Sequence, residues 1–345
     1  MKVLIVGDPH FRYQLPYSTA LPDGRASEWE GVKRFLKELA EDCEEVVLMG
    51  DNLNSKHNHS TVNSEFVRFL QDFGEKKIHM LVGNHERYGH ESALDFVRDM
   101  NHPLWKVYDE ITETTIGGKK TLMLPFLTAG VLGAANLEEA QVALTKELES
   151  RGAAEYLFHH HVAEGTIWGQ SSETAELHEV HVPKSSFPLY KKVVGGHIHK
   201  RNWVTDDVLV TGNLFTNEVG EHDKAVFILD TETNAVTEHK VPCRGIYKVE
   251  VREPNIPAEI PDSSIVKVIV TNPELQGPGV AKIRTLCSRF DAFVLVEQYP
   301  RKRKKINISE AGALDFSLEN LIKVYAEARK VPAADLERGL ELLEN

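Results

Sequence analysis

Five short polar motifs punctuate this chain, and most of them come directly after a run of apolar residues. The apolar runs predict short buried strands over residues 3–6, 46–49, 78–82, 156–158 and 193–194. The motifs are Asp8-Pro9-His10, Gly50-Asp51-Asn52, Gly83-Asn84-His85-Glu86, His159-His160-His161 and Gly196-His197-Ile198-His199. Loops at the carboxyl ends of strands converge on one edge of a layered sheet, so we expect these motifs to meet in space.

Segments with other periodicities lie between and after these strands. Apolar residues recur at helical spacing over residues 27–43 and 61–73, which predicts two helices. Residues 113–124, 202–211 and 225–240 have the pattern of antiparallel hairpins. Together these elements predict an α/β fold in which two sheets pack face to face and are flanked by helices.

The polar motifs stop near residue 245, and the rest of the chain has a different pattern. A strand, a strand, a helix and a strand are predicted over residues 246–251, 265–270, 280–290 and 293–298, which indicates a small α+β module with its own core. Consecutive basic residues occupy 301–305, and apolar residues at helical spacing follow residue 316. We expect a large domain over residues 1–244, a small domain over 245–300, a basic linker over 301–315 and a helical tail over 316–345.

Composition excludes several classes of protein. Lys2 leads into only four apolar residues, so no signal peptide is predicted, and no apolar run approaches the roughly 20 residues that span a bilayer. We therefore expect a cytoplasmic protein without membrane contact. The 3 cysteines are odd in number and widely spaced, which favours reduced thiols over disulfides or a zinc site. A net charge of -12 argues against a generally basic nucleic-acid surface but not against a local basic groove.

The side chains of the motifs are of the types that hold a pair of divalent metal ions. Such a catalytic pair lies about 3.5–4 Å apart and needs a bridging carboxylate, further ligands for each ion, and room for phosphate oxygens. Asp51 is the candidate bridge, and Asp8 and His10 can turn toward one ion where their strand ends. Asn84 offers an amide oxygen, and the histidines of Gly196-His197-Ile198-His199 point the same way by strand alternation. The set predicts a two-metal site that cleaves phosphoesters.

The order of the motifs resembles that of the calcineurin-like metallophosphoesterase superfamily, whose pattern is DxH, GD, GNH followed by Asp or Glu, His, and GHxH. The match spans about residues 3–200. The resemblance implies a four-layer α/β/β/α sandwich, here with a small α+β capping domain and a helical tail. It implies one ion held by Asp8, His10, Asp51 and His199, and a second held by Asp51, Asn84, His160 and His197. In the three-histidine motif His160 is the favoured ligand, and His159 is the alternative.

The same resemblance implies the cofactors and the reaction. The cofactors would be two Mn²⁺ ions, with Mg²⁺ or another divalent ion as alternatives. Water activated by the two cations would attack phosphorus in line with the leaving oxygen. His85 would bind no metal but would stabilise the transition state or protonate the leaving oxygen.

The region after residue 245 resembles a narrower group, the SbcD-type nuclease subunit of double-strand-break repair complexes. In layout it is similar to the recombination endonuclease subunit of T-even phages. In that family the small domain caps the active site and binds DNA, and the tail helices bind the coiled coil of an SMC-like ATPase. The resemblance implies a 3′-5′ exonuclease on duplex ends and an endonuclease on single strands, acting in recombination and repair in the cytoplasm of a bacterium or phage-infected host. The expected partners are DNA, the ATPase through residues 316–345, and a second copy of the chain.

Polar side chains beside the motifs are candidate phosphate contacts, although each one is also compatible with a solvated surface position. The candidates for DNA binding are Lys56, His59, Arg87, Lys200 and Arg201. The basic run over residues 301–305 is either a DNA contact or a solvated linker, and the tail either binds a partner or packs on its own domain.

Two other functions remain open. A stand-alone cyclic-nucleotide or small-molecule phosphodiesterase would hydrolyse a small chromogenic diester well above its rate on DNA. A DNA-tethering or ATPase-scaffold subunit would have a degraded site, and the complete ligand set counts against it.

The sequence departs from the pattern of the repair nucleases at two places, which bear on the subfamily and leave every ligand in place. Asn52-Leu53-Asn54 replaces the usual apolar and acidic residues after the bridging aspartate, and Glu86 stands where Asp is commoner.

Overall fold

The computed structural model of this chain describes residues 1–12, 27–166, 179–216 and 219–298, together with residues 323, 326, 327, 331 and 336. The chain forms two units, Met1–Glu297 and Gln298–Asn345. In the second unit, residues 323, 326, 327 and 336 are helical. The predicted basic linker and the rest of the predicted helical tail lie outside the described residues. Among the helices of the described segments, none is long and apolar enough to cross a lipid bilayer.

The first unit is built from nineteen strands and five α-helices. The strands are β1 (Lys2–Val6), β2 (Glu45–Leu48), β3 (Lys77–Leu81), β4 (Arg87–Tyr88), β5 (Glu91–Ser92), β6 (Trp105–Tyr108), β7 (Thr112–Ile116), β8 (Lys119–Leu124), β9 (Ala154–His159), β10 (Val162–Ala163), β11 (His181–Val182), β12 (Tyr190–Gly195), β13 (Asn202–Thr205), β14 (Val208–Val210), β15 (Ala225–Asp230), β16 (Val236–Lys240), β17 (Ile246–Val251), β18 (Ile265–Val270) and β19 (Ala292–Glu297). The helices are α1 (Ser27–Glu41), α2 (Ser60–Gln71), α3 (Asp95–Asp99), α4 (Leu137–Arg151) and α5 (Pro278–Cys287). These counts refer to the described residues.

Two six-stranded sheets contain most of these strands. The first has the order β16-β15-β1-β2-β3-β6, and the second has the order β13-β14-β12-β9-β8-β7. Both sheets mix parallel and antiparallel pairs: β1, β2 and β3 run parallel, whereas β15 is antiparallel to β1. The hairpins β7-β8, β13-β14 and β15-β16 are antiparallel, as the sequence predicts.

Alternation along the strands separates the apolar side chains into different cores. Leu4 and Val6 of β1 pack in one core with residues of α1 and α2. Val3 and Ile5 of the same strand pack in a second core, which lies between the two sheets. The first sheet is therefore covered by helices on one face and by the second sheet on the other.

The second sheet repeats this arrangement in mirror order. Tyr156 and Phe158 of β9 join the core between the sheets. Leu157 of the same strand lies in a third core together with Leu144 and Leu148 of α4. The layers thus follow the order helix, sheet, sheet, helix, which confirms the predicted α/β/β/α sandwich.

The strands and helices predicted before residue 299 all occur, with small shifts at their ends. The predicted tail helices lie largely outside the described residues. Helix α4 was not predicted. Its buried positions Ala140, Leu144 and Leu148 have helical spacing, but they stand among charged residues and form only a narrow apolar stripe. Asn136 caps the helix by accepting a hydrogen bond from Glu139 N at 2.9 Å.

The module after residue 245 has the predicted order of strand, strand, helix and strand. β17, β18 and β19 form a separate three-stranded sheet in which both pairs are parallel. Val266 and Val268 of β18 are buried, as are Ile283 and Cys287 of α5. The module belongs to the same unit as the two large sheets, and the domain boundary at residue 245 stays a prediction.

Candidate metal centre

The five polar motifs meet at neighbouring strand ends. β1, β2 and β3 end side by side in the first sheet, and β9 and β12 do so in the second. Three groups of possible ligand atoms result, and within each group the atoms lie within 4.8 Å of one another. The groups are Asp8 with His10 and His199, His10 with Asp51 and His85, and Asp8 with Asp51 and His160.

Asp51 belongs to the second and the third of these groups. Its Oδ2 is 3.7 Å from His10 Nε2, and its Oδ1 is 3.4 Å from His160 Nε2. The two carboxylate oxygens therefore face ligands that the resemblance assigns to different ions. This is the position that a bridging carboxylate requires.

The remaining predicted ligands lie on either side of Asp51. On one side, His10 Nε2 and His199 Nε2 are 3.0 Å apart. On the other side, Asn84 Oδ1 is 2.9 Å from His197 Nδ1 and 3.2 Å from His160 Nε2. The structure thus brings together all seven predicted ligands.

The surroundings of the Asp8 carboxylate show whether this set of side chains fits divalent cations. Asp8 is fully buried, and its Oδ1 has no hydrogen-bond partner, whereas its Oδ2 accepts a hydrogen bond from His197 N at 2.8 Å. A buried carboxylate oxygen without a donor is costly unless a cation compensates it. Carboxylate, amide and imidazole ligands are a suitable set for Mn²⁺ and similar ions. The residues present therefore fit a pair of divalent metal ions.

Within the three-histidine motif, His160 is the member that faces Asp51. Its Nδ1 donates to Met49 O at 2.7 Å, which leaves Nε2 directed at Asp51 and Asn84. His159 is also buried, but its Nδ1 accepts a hydrogen bond from the backbone of His161. The geometry favours His160 over the alternative.

Backbone conformation at the site is unusual. His10 and Asp51 each have φ 44°, and His197 has φ 75°, so three predicted ligands adopt the left-handed region that non-glycine residues rarely occupy. Glycines bring the loops close together: a side chain at Gly196 would place its Cβ 2.5 Å from Asp8 Oδ1, and one at Gly83 would collide with Asp51. The glycines of the motifs are thus required by close approach of the ligand loops.

Burial and neighbouring charges set the protonation of these groups. Burial raises the pKa of Asp8, and burial lowers the pKa of His10 to about 3, which keeps its imidazole neutral and able to bind metal. Burial by itself lowers the pKa of His160, but the carboxylates of Asp51 and Asp8 raise this pKa by more than burial lowers it, and the result is about 10. The carboxylates of Asp51 and Asp8 therefore stabilise a positive charge beside them.

Glu86 ties together two of the ligand loops. It is fully buried and accepts hydrogen bonds from Leu53 N at 2.6 Å and from Gly83 N at 2.7 Å. Burial and the charge of Asp51 raise the pKa of Glu86 to about 8. The departure from the commoner Asp thus has a structural use, because the longer side chain spans the loops that carry Asp51 and Asn84.

His85 projects from the cluster toward solvent, with 40% of its side chain exposed. Its Nδ1 donates to Asn54 O at 3.0 Å, so Nε2 is turned outward, 3.9 Å from Asp51 Oδ2. Its backbone N donates to Asp51 Oδ1 at 2.8 Å. The ring is held at the mouth of the cluster, where a bound phosphate would lie.

The cluster opens into a cleft of about 750 Å³. The cleft runs from Asp51 and His85 past Lys200 and Arg201 to Lys248 of the three-stranded module. Its walls carry charges of both signs, since Glu179, Glu221 and Asp223 also line it.

The five candidate DNA contacts have different environments. Lys200 and Arg201 line the cleft, but Arg201 forms ion pairs with Glu238 and with Asp223, the latter at 2.8 Å. Lys56 and His59 are exposed, and His59 Nδ1 caps α2 by accepting a hydrogen bond from Thr61 N.

Arg87 lies inside the protein and not at the surface of the cleft, where a residue that contacts the substrate would have to be. The residue is buried, and its guanidinium donates to Phe126 O at 3.1 Å and to Asp109 O. Burial lowers the pKa of this guanidinium. The expectation of a phosphate contact is therefore corrected: Arg87 follows a metal motif in sequence but joins loops inside the protein.

Two acidic residues near the histidine ligands were not predicted. Glu179 Oε2 is 2.6 Å from His197 Nε2, and Glu221 Oε1 is 3.5 Å from His199 Nδ1. Neither residue belongs to a motif, and glutamates in loops have no local pattern that would identify them. Only the folded arrangement places them beside the histidines.

Comparisons with known proteins find similarity to phosphoesterases. A family model described as calcineurin-like phosphoesterase matches residues 1–201. A protein of Invertebrate iridescent virus 3, named as a phosphoesterase, is 23% identical over 234 residues, which cover 64% of this chain and 59% of that protein. The chain thus spans about three fifths of that relative's length.

Two solved structures are also similar. One is an archaeal phosphodiesterase, with 18% identity and a TM-score of 0.36, covering 70% of this chain and 99% of that one. The other is the protein TT1561 of Thermus thermophilus, with 15% identity and a TM-score of 0.41, covering 70% of this chain and 98% of that one. The sandwich fold, the assembled ligand set and the family match over more than half of the sequence lead to one conclusion: the chain belongs to the calcineurin-like phosphoesterase family.

Proposed function

We propose that this phosphoesterase is a two-metal DNA nuclease that uses Mn²⁺. The observation that carries the proposal is the cleft, which joins the ligand cluster to Lys248 of the added module. A phosphate group alone needs no such extended groove, whereas a nucleotide chain would contact both the cluster and the module. Exonuclease action on duplex ends and endonuclease action on single strands are part of this proposal.

The residues of the cluster have separate tasks in phosphodiester cleavage. When bound, two divalent ions neutralise phosphate oxygens and lower the pKa of water to near neutrality. Asp51 lies between the two ligand groups, and Asn84 contributes a neutral oxygen, so the negative charge of the site stays low beside an anionic substrate. His85 directs Nε2 into the cleft, where it stabilises charge on the phosphate or gives a proton to the leaving oxygen.

Contacts between the module and the cleft wall support a role for the module in substrate binding. Gly220 N donates to Ile246 O at 2.8 Å, and Ile246 N donates to Glu221 O at 2.9 Å. The first strand of the module therefore pairs directly with the segment that carries Glu221, which in turn faces His199. A strand of DNA lying against the module would meet the metal centre at this wall.

A stand-alone phosphodiesterase for cyclic nucleotides or other small diesters is the second candidate. The acidic residues Glu221 and Asp223 line the cleft, Arg201 is engaged with Asp223, and the chain has a net charge of -12. A long polyanion would be repelled by this balance, whereas one small diester held by metal would not. A scaffold subunit without activity is disfavoured by the assembled ligand set.

A paired assay separates the nuclease from the small-diester enzyme. The full-length chain with Mn²⁺ is incubated with linear duplex DNA, with single-stranded DNA and with a chromogenic bis-aryl phosphodiester. We expect cleavage of DNA at a kcat/KM well above that for the chromogenic diester. The reverse order would contradict the nuclease proposal and favour the small-diester enzyme. The same assays are run with the variant Asp51→Asn, whose activity on all three substrates should be much lower.

We also propose that residues 316–345 bind a coiled-coil ATPase of the SMC type and that the chain forms a homodimer. Removal of residues 316–345 should abolish association with the ATPase in size-exclusion chromatography and leave cleavage of single-stranded DNA largely unchanged. An intact complex after truncation would contradict the assignment of the tail.

Sedimentation velocity of the full-length chain tests the proposed homodimer. A single monomeric species would contradict it.

A further inference from the structure

The two ring nitrogens of His197 have different partners. Nδ1 lies 2.9 Å from Asn84 Oδ1 and faces the ligand cluster, whereas Nε2 lies 2.6 Å from Glu179 Oε2. An ionised carboxylate can only accept hydrogen bonds, so the short contact places the ring proton on Nε2. The lone pair of Nδ1 is then directed into the cluster, which is the form of imidazole that binds a metal ion.

We infer that Glu179 is a positioning residue for the metal centre, which fixes the tautomer and the ring orientation of His197 so that Nδ1 holds the second ion. The inference rests on the proposed two-metal site and adds a residue to it. Glu179 is partly buried, with 31% of its side chain exposed at the cleft. It needs no contact with substrate to act in this way.

The backbone next to Glu179 is held firmly, as a positioning residue requires. Gln141 of α4 uses both atoms of its amide group on His181: Nε2 donates to His181 O at 2.9 Å, and Oε1 accepts from His181 N at 2.9 Å. His181 also pairs with Val162 in the short β10-β11 ladder. The segment that follows Glu179 is therefore fixed both to the outer helix and to the strand that leaves the three-histidine motif.

His161 holds the same segment from the inside. This buried ring donates from Nδ1 to Val180 O at 3.2 Å, and its Nε2 accepts a hydrogen bond from Leu127 N at 3.0 Å. Both nitrogens are thus in use, and His161 anchors the residue adjacent to Glu179. The last histidine of the motif contributes to the site through Glu179 and not as a ligand.

Phe126 completes the surroundings of His197. Its ring centroid is 5.7 Å from that of His197 and 5.2 Å from that of His161, on which it stacks at 20°. An apolar ring offers no competing acceptor for Nε2, so Glu179 is the acceptor that selects the tautomer. Loss of this acceptor would leave His197 free to rotate or to exchange its proton between the two nitrogens.

Calorimetric titration of the full-length, metal-stripped chain with Mn²⁺ tests the inference directly. Removing a carboxylate behind a metal-binding histidine costs roughly 10–100-fold in metal affinity. We therefore expect Glu179→Ala to weaken one of the two sites by about this factor and to leave the other unchanged. Glu179→Gln keeps an oxygen that accepts the Nε2 proton, and it should restore affinity to near that of the wild type. Glu155→Ala, which removes a carboxylate of β9 that is paired with Lys191 of β12, is the matched control and should bind both ions normally.

Electron paramagnetic resonance gives a second readout, because it distinguishes a pair of bound manganese ions from single ions. The wild type and Glu179→Gln should show the exchange-coupled signal of a manganese pair, and Glu179→Ala should show mainly the signal of single ions at the same Mn²⁺ concentration. Wild-type affinity at both sites in Glu179→Ala would overturn the inference. Equal losses in Glu179→Gln and Glu179→Ala would also overturn it, because they would show that the charge of Glu179 is needed at the metal itself.

The experiment separates this inference from the proposed function. If the wild type binds no pair of ions, the two-metal proposal fails and the inference fails with it. If the wild type binds a pair and Glu179→Ala does the same, the inference alone fails. Should Glu179→Ala not fold, Glu179→Asp decides, since a carboxylate one methylene shorter cannot reach Nε2 from the anchored backbone and should weaken the same site.

Discussion

Replacing Asp51, the proposed bridging carboxylate, by Asn is expected to remove paired metal binding. Phosphodiester hydrolysis should fall by more than roughly 100-fold, which is the upper end of the cost of losing an outer partner of a metal ligand. Asn is the suitable replacement because Asp51 has φ 44°, and Asn tolerates the left-handed region better than Ala does. The Asn side chain can still accept the hydrogen bond from His85 N, so the loop should keep its shape. What it loses is the charge and the second oxygen that join the two ligand groups.

Asp223→Asn is the matched control for this variant. Asp223 lines the same cleft, also has a positive φ of 62°, and is paired with Arg201 instead of with a histidine of the cluster. We expect it to retain both Mn²⁺ sites by calorimetry and to keep most of its hydrolytic activity. Substantial two-metal activity in Asp51→Asn, measured beside Asp223→Asn, would contradict the bridging role of Asp51.

The layered fold could be predicted because its strands carry strong local signals. After the exposed Lys2, β1 consists of four apolar residues that are buried on both faces, and this composition is typical of a buried parallel strand. The order of strands within each sheet is a different matter, because the pairing of β15 with β1 joins residues far apart in sequence. Helix α4 shows a related limit: Ala140, Leu144 and Leu148 form a narrow stripe beside the exposed Val142, and only the second sheet makes this stripe a buried face.

The clustering of the candidate ligands could be predicted for a comparable reason. Asp8, Asp51 and Asn84 each belong to a short motif at the end of a strand, and the glycines beside them mark loops that must approach closely. Residues that orient the ligands have no such signal. Glu179 and Glu221 reach His197 and His199 from loops outside the motifs.

Arg87 illustrates the opposite error. Its place beside the third motif favoured a phosphate contact, but neighbours in sequence on an irregular loop can point in opposite directions. The carbonyl groups of Phe126 and Asp109, both distant in sequence, take up the guanidinium inside the protein. Local sequence identified where the chemistry lies, and tertiary contacts decided which adjacent side chains face it.

Replacing His85 by Ala should lower kcat by about 10²- to 10⁴-fold, the range typical of a lost general acid or base, and leave the affinity for both Mn²⁺ ions nearly unchanged. The separation is expected because Nε2 of His85 lies at the mouth of the cluster, while its Nδ1 is bound to Asn54 O. His90→Ala, which removes an exposed histidine four residues beyond the ligand loop's Glu86, is the matched control and should have normal kcat and metal binding.

The leaving group distinguishes the two tasks that His85 could perform. If the imidazole protonates the leaving oxygen, His85→Ala should lose far less activity on a nitrophenyl diester, whose leaving group departs without a proton, than on a dinucleotide, whose leaving alkoxide needs one. Equal losses on both substrates would assign His85 to stabilisation of charge on the phosphate instead. Loss of Mn²⁺ affinity together with activity would reject both tasks and would indicate that His85 is a metal ligand. His85 Nε2 lies 3.9 Å from Asp51 Oδ2, close enough for both groups to bind one ion.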